Sequence, residues 1–169
     1  MKNNFLRVIS LPLLSLLCLT ACDPGHYRFS YLDLKDDVVS VDLIEYRNDN
    51  QKHFTSWVPN HYNELLPFEI ENVTLLETLD VALLDTFLKQ VCEYTILDHY
   101  YAYNSPKGTC IRLNHNNDDF TILWSPRGRY AGYIGKYSQD GEVKDFYGCF
   151  QANYIDSLID VYFNQTQEE

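Results

Sequence analysis

Apolar positions along this chain change period several times, and each change marks an element. Tyr27, Phe29 and Tyr31 alternate with other residues, as do Val39, Val41 and Leu43. A period of two puts such side chains on one face of a strand. Lys35-Asp36-Asp37 reads as the turn between them, so the two runs predict a hairpin. A third strand is expected around Ile70 to Leu76, after a segment with Trp57, Pro59 and Pro67 whose pattern assigns no element. The spacing then lengthens. Leu83, Leu84, Phe87, Leu88 and Val91 recur at helical intervals, with Asp85, Lys89 and Gln90 off the stripe. Asp80 supplies an N-cap, because its carboxylate can accept an orphan backbone amide, and Leu79 before it can staple onto Leu84. This helix should end near Glu93. Tyr154, Ile155, Leu158, Ile159, Tyr162 and Phe163 predict a second amphipathic helix, with Asp156 and Asp160 outside.

Between the helices the pattern returns to short strands near Thr109 to His115, Phe120 to Ser125, Tyr130 to Tyr137 and Val143 to Phe150. Turn chemistry separates them at Ser105-Pro106-Lys107-Gly108, Asn116-Asn117-Asp118-Asp119, Ser125-Pro126-Arg127-Gly128 and Asp140-Gly141. The recurring Ser-Pro-Lys/Arg-Gly is what such turns need and does not require a duplicated unit. The expected fold is α+β, an antiparallel meander sheet with two amphipathic helices packed on one face.

The N-terminus follows neither period. Lys2 and Arg7 precede an apolar run from Val8 to Leu19 that no acidic residue interrupts, and the run closes on Leu19-Thr20-Ala21-Cys22. Ser10, Pro12, Ser15 and Thr20 break a segment already short of the ~20 apolar residues of a spanning helix. It fits a signal peptide instead. This pattern resembles the lipobox of bacterial lipoproteins. The resemblance implies cleavage by signal peptidase II before Cys22, whose sulfur would be joined to diacylglycerol. Attached acyl chains such as palmitate would then hold the protein on its membrane, since two chains anchor stably where one does not. Residues 1–21 would be the signal peptide, 22–26 a lipidated N-terminus and short tether, and 27–169 a single extracytoplasmic domain. The tether reaches about 14 Å at most. In enteric bacteria an aspartate in the place of Asp23 resembles a signal for retention on the inner membrane. Beyond residue 22 the chain resembles only small lipoproteins without an assigned activity, so the resemblance implies an address and no reaction.

Maturation would remove Lys2 and Arg7 and no acidic residue, leaving 148 residues with 11 basic and 24 acidic side chains and a net charge of −13. That length can bury roughly 68–70% of its unfolded surface without metal or disulfide support. All 14 tyrosines and both tryptophans would remain, a composition that argues for a folded core. The acidity disfavours phosphate backbones and anionic headgroups, so no nucleic-acid partner is expected.

Cys92, Cys110 and Cys149 form an odd set in a compartment where disulfides can form. Loop-closure entropy mildly favours the pair nearest in sequence, Cys92 with Cys110, and the alternative is three buried thiols. His26, His53, His61, His99 and His115 lack the spacing of zinc motifs, and Asn116 to Asp119 serves more economically as a turn than as a calcium loop. No metal or cofactor is expected. No phosphate loop, dinucleotide fingerprint or nucleophile elbow occurs, and no residue stands out as catalytic. Aromatic side chains offer the most suggestive contact surface: Tyr101, Tyr103, Tyr130 and Tyr133, with Trp57 as a second candidate. The sequence therefore points to a membrane-anchored binding or interaction domain whose partner is an envelope protein or glycan. A cell-envelope hydrolase with an unrecognised carboxylate site is the alternative.

Overall fold

A computed structural model describes residues 26–47, 67–97, 108–124 and 131–163. The α+β expectation holds. Eight strands, all paired antiparallel, form one sheet among the described residues: β1 (His26–Tyr27), β2 (Val38–Tyr46), β3 (Val73–Thr78), β4 (Ile96–Leu97), β5 (Gly108–His115), β6 (Phe120–Trp124), β7 (Ala131–Tyr137) and β8 (Val143–Gln151). Their order is β1-β4-β8-β7-β6-β5-β2-β3, so β5 to β8 form the expected meander and β2 adds to its β5 edge. Helices α1 (Tyr31–Asp37), α2 (Val81–Glu93) and α3 (Ala152–Tyr162) bury side chains in one cluster with the same sheet face.

The predicted N-terminal hairpin is replaced by α1. Tyr31, Leu34 and Val38 also recur at helical spacing, and Ser30 caps the turn by accepting from the Asp33 amide at 3.4 Å. Leu34 enters the core, so the residues expected to be a turn at 35–37 instead end a helix. A second correction concerns β2. Its register shifts between Val38 and Ser40 in the pairing with β5, and Val39 is left 57% exposed while Val38, Val41 and Leu43 face the helices. An extra residue at such a bulge takes no place in the alternation. Helix α2 starts as expected, with Asp80 accepting from the Ala82 amide at 2.8 Å, but Leu83 is turned to solvent and burial falls on Phe87, Leu88 and Val91. Tyr162 then joins α3 to α2, its ring 5.2 Å from Phe87 and its hydroxyl donating to Gln90 Oε1 at 2.8 Å.

The opposite sheet face carries a second, smaller cluster of Ile44, Tyr46, Cys110, Phe120, Ile122, Trp124 and Tyr137, capped by Phe68. Phe68 stacks on Tyr46 at 4.2 Å and donates its amide to the Gly141 carbonyl at 2.8 Å. Gly141 has φ +81°, and a Cβ there would lie 1.8 Å from the Phe68 carbonyl oxygen, so only glycine fits the predicted Asp140-Gly141 turn. The Asn116–Asp119 turn also forms, with Asp118 at φ 65° and the Asp119 amide donating to Asn117 Oδ1.

Candidate functional site

Where α1 crosses the end of the β5–β6 hairpin, the chain leaves a cavity of about 170 Å³. Its floor is polar inside an otherwise apolar layer. On the helix-facing side of β5, Ile111 and Leu113 are followed by His115; on the same side of β6, Leu123 is followed inward by Thr121. The hairpin register sets Leu113 opposite Thr121, which brings His115 diagonally across to it. His115 Nε2 lies 2.8 Å from Thr121 Oγ1 and Nδ1 lies 2.6 Å from Asp37 Oδ2 at the end of α1. The carboxylate is an acceptor, so Nδ1 carries the hydrogen in the neutral ring and Nε2 accepts from the threonine hydroxyl. Burial lowers the imidazole pKa below its ordinary 6.5 and outweighs the opposing pull of Asp37, which keeps the ring neutral near pH 7.

Phe29 and Tyr147 form an aromatic wall, with ring centroids 5.2 Å apart and planes at 77°. Burial raises the Tyr147 phenol pKa first, and the negative charges of Asp145, Asp37 and Asp119 raise it further. The opening is bordered by Ser30 and Asp33, both exposed. Asp33 and Asp37 are four residues apart on α1 and therefore share a side of the helix. Lys136 reaches Asp37 Oδ2 at 3.6 Å, whereas no cation pairs with Asp33 among the described residues. Nearby, Lys144 donates to both Asp119 oxygens at 2.6 and 2.8 Å, which holds that carboxyl below its ordinary pKa.

A hydroxyl, an imidazole and a carboxylate in this sequence form a proton relay of the kind that activates nucleophiles. Two features keep it from acyl transfer. Thr121 is 2% exposed, and its backbone lies in a strand paired on both sides, so its own amide is committed to the ladder and cannot stabilise an oxyanion. The arrangement holds a shaped, neutral floor under a small cleft.

Among the described residues, none of the sequence-predicted site residues lines this cleft. Cys22, Trp57, Tyr101, Tyr103 and Tyr130 lie outside the described residues, as do His53, His61 and His99; Tyr133 is placed in β7 by its backbone alone, opposite Trp124. The expected Cys92–Cys110 bridge is absent, and both thiols are free. Cys92 packs against the helix-side cluster and Cys110 belongs to the cluster on the other face, so the sheet separates them. Burial raises both thiol pKa values, well above the ordinary value for Cys110, which makes them poor nucleophiles. Sequence reasoning missed Asp37, Thr121 and Tyr147. The available signal was His115 and Thr121 interrupting apolar alternations on either side of one turn. No family model, curated protein or solved structure matches the chain.

Proposed function

We propose that this protein is a lipid-anchored, extracytoplasmic binding domain of the cell envelope, with the cleft above His115 as a ligand site. The observation that carries the reading is the lipobox Leu19-Thr20-Ala21-Cys22 placed four residues ahead of His26, the first residue of the first described strand. No helix among the described residues is long and apolar enough to cross a membrane. A lipid on Cys22 would provide the attachment. Binding is preferred to hydrolysis because the relay under the cleft has a buried hydroxyl whose backbone amide is engaged in the sheet. A neutral, saturated floor and an aromatic wall are what a small-ligand cleft uses to orient its occupant. The partner is an envelope protein or glycan that presents a small group to this cleft.

Metabolic labelling with a fatty acid tests the anchor. The wild-type chain should take up label and Cys22→Ser should take up none, because serine cannot form the thioether. Equal label in the two would overturn the lipoprotein reading. Crosslinking of the lipidated protein in its native membrane, with identification of the captured molecule, tests the binding half.

A further inference from the structure

The chain already pairs ammonium groups with an aromatic ring and a carboxylate at one place. On the surface beside α1, Lys35 and Lys89 place their Nζ atoms 5.6 and 5.4 Å from the centroid of the Tyr31 ring. Asp85 is the carboxylate, pairing with Lys89 at 2.7 Å and accepting from the Tyr31 hydroxyl. Ring faces attract cations through their quadrupole, and the carboxylate adds a direct charge contact.

The cleft brings together the same kinds of group, the Phe29 and Tyr147 rings and the Asp33 carboxylate, and no lysine pairs with Asp33 among the described residues. Its lining carries the carboxylates of Asp33 and Asp37 and a neutral His115, with Lys136 reaching Asp37 from beside it at 3.6 Å. The field is felt at the wall, where three aspartates help to raise the Tyr147 phenol pKa. Two carboxylates in the lining disfavour an anion. A hard metal ion fits no better: it requires six to eight oxygens, while Phe29, Leu34 and Tyr147 give the cavity carbon walls and Asp37 Oδ2 already serves His115 and Lys136. The volume of about 170 Å³ lies below that of a drug-sized pocket and admits a head group or a small molecule.

We propose that the cleft binds the ammonium group of a small organic amine, with the charge at Asp33 and the alkyl part against Phe29 and Tyr147. The inference rests on the binding-domain reading above and names the ligand chemistry of that site. Ser30 and Thr121 add hydroxyl oxygens near the opening and the floor. The amine can be free or carried on a larger partner, because Asp33 and Ser30 stand exposed at the mouth.

Calorimetric titration of the full-length lipidated protein in detergent micelles decides it, with n-butylammonium chloride and its neutral counterpart n-butanol at constant ionic strength. Butylammonium should bind saturably, butanol at least roughly tenfold more weakly, and Asp33→Asn should weaken butylammonium by a similar factor. Lys35→Met, which alters the Tyr31 cluster and not the cleft, should leave binding unchanged. Equal affinity for butanol, unchanged affinity in a folded Asp33→Asn variant, or no saturable binding by the folded wild type would each overturn the proposal. If Asp33→Asn fails to fold by circular dichroism, the butylammonium and butanol comparison on the wild type decides alone. The binding-domain reading fails separately, by the absence of any captured molecule in the native-membrane crosslinking.

Discussion

Arg112 and His115 lie three residues apart on β5 and point to opposite faces of the sheet, and each pairs with an aspartate, Asp42 or Asp37. The two networks use similar parts and end differently. Asp42 accepts from Arg112 Nη2 at 2.7 Å, Asn114 Nδ2 at 2.8 Å and Thr78 Oγ1 at 2.8 Å, so it ties β3, β2 and β5 together across three strands. Burial pushes its carboxyl pKa up, but those hydrogen bonds outweigh the burial and hold it below the ordinary 3.8. None of those four residues lines the cleft at His115. On the other face, Asp37 and Thr121 fix the His115 ring at the floor of a cleft. A buried charge surrounded by donors serves the register of strands. On the proposed reading, the polar floor beneath the mouth orients a ligand.

Breaking the first network should have the larger effect. Arg112→Ala leaves Asp42 buried with one fewer donor and no countercharge, and should cost about 3 kcal/mol in urea unfolding near neutral pH. The double variant Asp42→Leu with Arg112→Met, which removes both charges, should recover most of that loss; no recovery would show that packing, rather than the unpaired charge, accounts for the cost. Breaking the second should be milder. Thr121→Val keeps the shape of the side chain but leaves His115 Nε2 without its donor, and should cost about 1–2 kcal/mol by thermal unfolding. A cost equal to that of Arg112→Ala would erase the distinction between the two networks.

The smallest effect separates them by pH. Because His115 has a folded pKa below 6.5, the unfolded chain takes up the proton first as the solution is acidified. Its contribution is full above pH 6.5 and is lost as pH falls from there towards the lower native value. Asp42 contributes fully above pH 3.8, and its share is lost as pH falls through its depressed native value. Wild-type stability should therefore decline as pH falls below about 6.5, and His115→Gln should flatten that decline while leaving the acid limb in place. An unchanged slope in His115→Gln would assign the titration to another group.

Much of the fold was legible before the structure because local period and local turn chemistry agreed. The Asp80 cap, the stripes of α2 and α3 and the four strands of the meander follow from residues within a few positions of each other. Legibility failed where two periods coincided. Tyr27, Phe29 and Tyr31 satisfy a strand pattern while Tyr31, Leu34 and Val38 satisfy a helix, and the core contact of Leu34 selects the helix. At Val39 the alternation was real, but pairing with β5 inserted a bulge and shifted the burial to Val38.

The candidate site was almost wholly hidden. Its parts come from α1, β5, β6, β8 and the residues before α1, so no window of sequence contains even the Asp37–His115 pair, which is 78 residues apart. What the sequence determined by itself was the secondary structure set by short-range periodicity, the acidic balance and the export-like N-terminus. The tertiary structure alone decided which face of the sheet the helices cover, that the sheet separates Cys92 from Cys110, and that His115 sits beneath a cleft. Those outcomes depend on long-range register: a shift of one residue moves every side chain of a strand to the opposite face, and only the pairing of distant strands fixes that choice.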